Sequence, residues 1–146
     1  MAINTQLQQG TLNRLLTQLT LSSYPALNVV SGNFSKSFLR ATLEGPFTTQ
    51  IETATGVVNS PEPYCMGSFD FGILRTQATA GAWLAQVQVG TVIGTAIAYG
   101  DSSVFPSIQL VNCSVQALDP GGWDGMDPTI AITLRGIFYL NSGSWV

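Results

Sequence analysis

The chain has 146 residues, enough for one domain with a real core. Only 9% of them are charged, against roughly 25% in an average soluble protein, and the mean hydropathy is +0.28. A net charge of −3 leaves no basic surface for nucleic acid, and the absence of histidine removes the commonest general base and metal ligand.

Residues 1–10 have neither a basic start nor an apolar core, so they do not read as a secretory signal. Synthesis in a cytosol is expected, where Cys65 and Cys113 remain thiols and read as small buried residues on strands. Residues 12–21 are ambiguous. Leu12, Leu15, Leu16 and Leu19 fit one face of a helix; Leu15, Leu19 and Leu21 fit a strand, which Thr20 and Pro25 favour. A short strand is expected over residues 27–30.

Residues 38–53 read as a β-hairpin. Arg40, Thr42, Glu44, Thr48, Gln50 and Glu52 alternate with Leu39, Ala41, Leu43, Phe47 and Ile51, the period of a sheet with one wet and one dry face. Glu44-Gly45-Pro46 reads as the turn, and parity then pairs Leu43 with Phe47 and Thr42 with Thr48. The apolar set should face the core. Residues 57–63, with Pro61 and Pro63, read as a turn-rich connection, and residues 64–74 as a strand with Cys65, Phe69, Phe71 and Ile73 on one side.

The spacing of Ala80, Trp83, Leu84 and Val87 predicts a helix over residues 76–89, capped by Thr76 or Thr79 and ended by Gly90. Residues 76–100 carry no charge but hold many Thr, Gln and Gly, so no membrane span is expected. Strands follow at 92–99, 107–118 and 129–140, with a Gly-rich loop at 119–128. The predicted fold class is mainly β: a two-sheet sandwich or barrel with one flanking α-helix and a long β-hairpin, in a single domain spanning residues 1–146.

Catalytic constellations are weak. In Ser35-Lys36-Ser37, adjacent strand residues point apart. The predicted register separates Glu44 from Glu52, too far for a glycosidase pair. Asp119, Asp124 and Asp127 lack the spacing of a twelve-residue calcium loop. Trp123 in that loop is either a core plug or an interface anchor. The chain therefore reads as no enzyme, with no cofactor and no metal. Its sparse charge suggests that surface is buried against other chains.

Three stretches carry a resemblance: Val58-Asn-Ser-Pro-Glu-Pro-Tyr64, Leu74-Arg-Thr-Gln77 and Thr133-Leu-Arg-Gly-Ile-Phe-Tyr-Leu-Asn-Ser142. In this order and spacing the chain resembles the tail tube proteins of contractile-tailed bacteriophages, over about residues 10–142. The resemblance implies a β-sandwich or barrel with one helix, assembled as hexameric rings that stack into a hollow tube. It implies a virion location in the tail after synthesis in the host bacterial cytoplasm, a sheath outside, and DNA or a tape-measure protein in the lumen without specific binding. The same fold serves type VI secretion tubes. The uncharged helix departs from that pattern and puts an electrostatic contact with a sheath in doubt. Under this reading Arg40, Thr42, Thr48, Gln50 and Glu52 line the lumen, since a conduit for a polyanion needs few cations, small polar groups and a neutral to acidic field. Arg40 would be neutralised by Glu44 or Glu52 of the same or a neighbouring copy. The arms 1–10 and 141–146, with Ile3, Leu7, Trp145 and Val146, and the loop residue Trp123 would make ring contacts. The alternatives are a secretion tube protein, or a monomeric β-sandwich that binds glycans through Trp123, Trp145 and Tyr99.

Overall fold

Two long strands with regular alternation form the middle of the molecule. The structure, a computed structural model, describes Leu7 and residues 9–145. Strand β5 (Tyr64–Leu74) runs antiparallel to β8 (Thr129–Tyr139), with Tyr64 opposite Tyr139 and Leu74 opposite Thr129. One parity turns inward on each: Cys65, Phe69, Phe71 and Ile73 on β5, and Ile130, Ile132 and Leu134 on β8 are buried. β1 (Gln18–Leu21), β6 (Val92–Tyr99), β7 (Ile108–Asp119) and β2 (Phe34–Leu43) complete a six-stranded antiparallel sheet in the order β1-β6-β7-β8-β5-β2. Gly67 and Gly136 sit opposite each other at its centre, where β7 comes close. A Cβ on Gly67 would lie 2.7 Å from Leu110, and one on Gly136 would lie 2.6 Å from the Cys113 sulfur.

The inner face is covered by α1 (Ala78–Val89) and by residues 22–33. Trp83 is fully buried and meets the ring of Phe71 edge-on at 5.5 Å. The helix begins after Gln77 with no side-chain cap, so neither Thr76 nor Thr79 caps it. It ends on Gly90, whose N–H donates to the Gln86 carbonyl. Of the predicted face, Ala80 and Trp83 are buried and Val87 packs on the core, while Leu84 stays half-exposed. The strand expected at 27–30 is instead a 3-10 turn, Pro25–Leu27, followed by one antiparallel bridge between Val29 and Leu19. The ambiguous 12–21 stretch divides: Arg14–Leu16 is a 3-10 turn and only Gln18–Leu21 is strand.

The fold class is the expected one, mainly β with one flanking helix and two sheets. The hairpin, however, lies elsewhere. β2 does not turn back on residues 47–52. It pairs with β5, Leu39 opposite Phe71 and Leu43 opposite Gly67, because the apolar residues of β5 offer Leu39 and Leu43 a core to join. The true hairpin is β3 (Thr48–Glu52) with β4 (Val57–Pro61): β3 is an expected strand with a new partner, and β4 lies in the stretch expected to be a turn-rich connection. Pro61 is accommodated there because β4 is an edge strand and Pro61 its last residue. The turn is 53–56, closed by Thr53 N–H to the Gly56 carbonyl and by the Thr53 hydroxyl, which accepts from Gly56 N–H. Glu44-Gly45-Pro46, with a cis Gly45–Pro46 bond, is the crossing from one sheet to the other. Leu43–Phe47 and Thr42–Thr48 are therefore not pairs, and Glu52 lies opposite Val57 rather than near Phe38.

The register fixes two ends of the large sheet. Leu43, Tyr64, Tyr139, Ile108 and Tyr99 mark one, from which the hairpin is rooted. Leu74, Thr129 and Asp119 mark the other, where the 120–128 loop joins β7 to β8.

Candidate assembly surfaces

Among the described residues, no helix or strand packs over the sheet face away from α1. Arg40 and Thr42 of β2 lie opposite Asp70 and Ser68 of β5, which lie opposite Thr133 and Arg135 of β8. The same rows continue onto β7 with Ser114 opposite Arg135 and Ala117 opposite Thr133. The central rows of the face are thus small and polar, the Met66–Ile137–Val111 row toward the hairpin end is apolar, and the two arginines each have an acid at hand. Arg40 is the direct cross-strand neighbour of Asp70, whose carboxylate accepts from the Thr133 hydroxyl at 2.9 Å. Arg135 donates to Glu44 at 2.7 Å, with both side chains about half exposed. Arg40 and Thr42 of the expected wall set stand on this face, together with Ser68, Asp70, Thr133 and Arg135, which that set did not include. The alternation of β5 and β8 already placed these four on the outward parity.

The other three predicted wall residues stand on the hairpin, not on this face. Thr48, Gln50 and Glu52 share a side with Val57, Asn59 and Pro61, and Gln50 donates to Asn59 at 3.1 Å. The opposite side carries Phe47, Ile51 and Val58. All three are about half exposed, so Phe47 and Ile51 do not reach the core as expected; Leu39 and Leu43 do. Every residue of β3 and β4 is exposed.

At the far end the 120–128 loop is held by its own polar groups. Arg75 donates to the carbonyls of Gly122 and Asp127. The Asp127 carboxylate accepts from the N–H groups of Thr129 and Gly122, Asp119 accepts from Gly121, and Asp124 from Met126. The three carboxylates that suggested a cation thus serve loop N–H groups, and no cluster able to hold a metal occurs among the described residues. Hydrogen bonds from Thr129 and then Gly122, with the nearby Arg75 charge, hold the Asp127 carboxyl below its ordinary range. This fixed loop displays Trp123 and Met126 at 82% and 83% exposure. Trp123 is accordingly no core plug.

Of the terminal residues, Leu7 is 80% exposed, and Ile3 and Val146 lie outside the described residues. Trp145 is half-exposed because its ring packs edge-on against Tyr139, 5.3 Å between centroids. Trp123 lies at the opposite end of the sheet from Trp145 and Tyr99, so the three do not form one glycan platform. Both cysteines are buried, and burial pushes the Cys113 thiol up to about 11. No helix among the described residues is long and apolar enough to cross a membrane.

No protein-family model matches the sequence, and no curated protein matches it. The fold does match solved structures. One is a chain from the tail of an empty gene transfer agent (GTA) particle, solved by helical refinement with C6 symmetry. It is 12% identical, with a TM-score of 0.57 over 92% of this chain and 100% of that one. Another is a chain from the virion of a native gene transfer agent particle, 10% identical, with a TM-score of 0.55 over 86% of this chain and 96% of that one. At such identity the likeness is one of fold.

Proposed function

We propose that the chain is a structural tail protein of a phage-like particle, and more specifically a tube protein whose rings of six copies stack into a conduit for DNA. The observation that carries this reading is the centre of the open face of the six-stranded sheet, where Thr42, Ser68, Asp70, Thr133 and Ser114 are small or polar and each arginine is matched by a carboxylate. A surface that must pass a polyanion without holding it needs that composition. The hairpin side with Thr48, Gln50 and Glu52 continues this wall. Tape-measure protein or DNA occupies the lumen without specific binding, and a sheath surrounds the tube. The fold shared with a C6-symmetric tail chain supports the ring, as does β2, ten residues long and paired on one edge only. Closing such edges through neighbouring copies removes an aggregation hazard. The apolar groups displayed at both sheet ends, Trp123 and Met126 at one and Phe47, Ile51 and Val58 at the other, favour head-to-tail stacking over a two-fold dimer, which would cover only one of them. The whole chain acts as one unit, with residues 1–10 and 141–146 as contact arms.

Negative-stain microscopy with light scattering tests this. Six-fold rings or tubes are expected as concentration rises. A 15.5 kDa monomer that persists at high concentration would sink the reading.

A further inference from the structure

The hairpin is a ribbon of two five-residue strands exposed on both sides, and such a ribbon has little stability of its own. Its direction relative to the sheet must be set at its root. The root is the rung between Phe47 and Glu62, where Glu62 N–H donates to the Phe47 carbonyl. Among the described residues one side chain from outside the hairpin grips that rung, next to a backbone bond from Leu140 N–H to the Pro63 carbonyl. The Asn141 amide donates through Nδ2 to both root carbonyls, at 3.2 Å to Phe47 and 2.8 Å to Glu62. Asn141 itself is left-handed, φ 52°, a conformation that asparagine tolerates better than most residues. It closely follows β8. The turn after it, Ser142–Ser144, brings Trp145 back onto Tyr139. The chain therefore leaves the sheet, clamps the hairpin and anchors itself again between Tyr139 and Trp145.

Nothing in the monomer's core requires this clamp. Asn141 and Phe47 are exposed and Glu62 is partly so, and among the described residues the hairpin side with Phe47, Ile51 and Val58 covers no part of the core. A fixed direction matters only to something that meets the hairpin from outside. We infer that Asn141 is a positioning residue: its bidentate grip on the hairpin root sets the hairpin's direction, and a second copy of this chain reads that direction through the Phe47–Ile51–Val58 side. A second copy is the occupant because the hairpin is rooted at one end of the sheet while the Trp123–Met126 loop stands at the other. End-to-end copies bring these two exposed apolar groups together. The docking half of this inference rests on the tube reading; the clamp does not.

The test uses Asn141→Gly, which keeps the left-handed backbone freely and removes only the amide. Asn141→Gln, which offers the same amide on a longer arm, serves as partial rescue. Amide hydrogen exchange is followed in the hairpin and in the sheet of dilute protein, and assembly is followed by light scattering. In Asn141→Gly, hairpin amides should exchange about tenfold faster while those of β5 and β8 stay as protected as in wild type. Assembly should weaken by a similar factor. Unchanged hairpin exchange overturns the clamp. Faster exchange with wild-type assembly overturns the docking half. A wild-type chain that never assembles sinks the tube reading, and exchange alone then decides the role of Asn141.

Discussion

A methyl group has no room at position 136. A Cβ there would lie 2.6 Å from the Cys113 sulfur and 3.1 Å from the Val111 carbonyl oxygen, on strands that cannot separate without opening the core. Gly136→Ala should therefore destabilise the protein by about 1–3 kcal/mol, read as a lower denaturant midpoint at constant slope. Gly81 is the matched control. It sits in the helix with open space around it, so Gly81→Ala should stabilise by roughly 0.5–1 kcal/mol. If Gly136→Ala is neutral or stabilising, the close approach of β7 to β8 is wrong. The cost of Gly81 is legible in the sequence, because helix propensity is local. The constraint at Gly136 is not, since it comes from Cys113 on a strand aligned only by tertiary pairing.

At the scale of elements, period-two alternation locates the strands well, and β5 and β6 have the expected limits. Partners are harder to read, because alternation fixes a strand's faces and says nothing about its neighbour. Residues 38–43 and 47–52 share a parity and a Gly-Pro turn signal, yet β2 gains more by laying Leu39 and Leu43 on the core beside β5. Pro61 and Pro63 disguise β4, although Gly56 after Thr53 marks a turn. The 120–128 segment is the loop that its glycines predict, and its acids have a pH consequence. The Asp127 carboxyl titrates below its ordinary value when folded. Its contribution is thus complete above that ordinary value and is lost as pH falls through the lower, folded one. Trp123 fluorescence and exchange at Gly122 and Thr129 should stay native-like at mildly acidic pH and report a loosened loop only under strong acid. Asp127→Ala should show the loosened loop at neutral pH. A loop that opens near the ordinary carboxylate range in wild type would contradict this bonding of Asp127.

At the scale of the whole molecule, the proposed tube reading makes the open face the wall that meets DNA. Its arginines are not removed but answered: Arg40 stands across from Asp70, and Arg135 is bonded to Glu44. A cation next to a carboxylate attracts phosphate weakly, because binding must release counterions and also leave the acid unneutralised beside the DNA. Replacing both acids, Asp70→Asn with Glu44→Gln, uncovers Arg40 and Arg135 in every copy without adding a cation. The fold should survive. The amide oxygen that replaces the Asp70 carboxylate can still accept from Thr133, and an exposed pair such as Glu44–Arg135 contributes only about 0–1 kcal/mol. Under the tube reading the change repeats around each ring and turns the open face from neutral to positive. Assembled tubes of the double variant should retain DNA at low salt and release it as salt rises, with a salt slope absent from wild type. Adding Arg40→Gln and Arg135→Gln to the same variant should abolish retention, which separates this face from Arg14, Lys36 and Arg75. Variant tubes that assemble normally yet pass DNA as wild type does would show that this face does not line the channel.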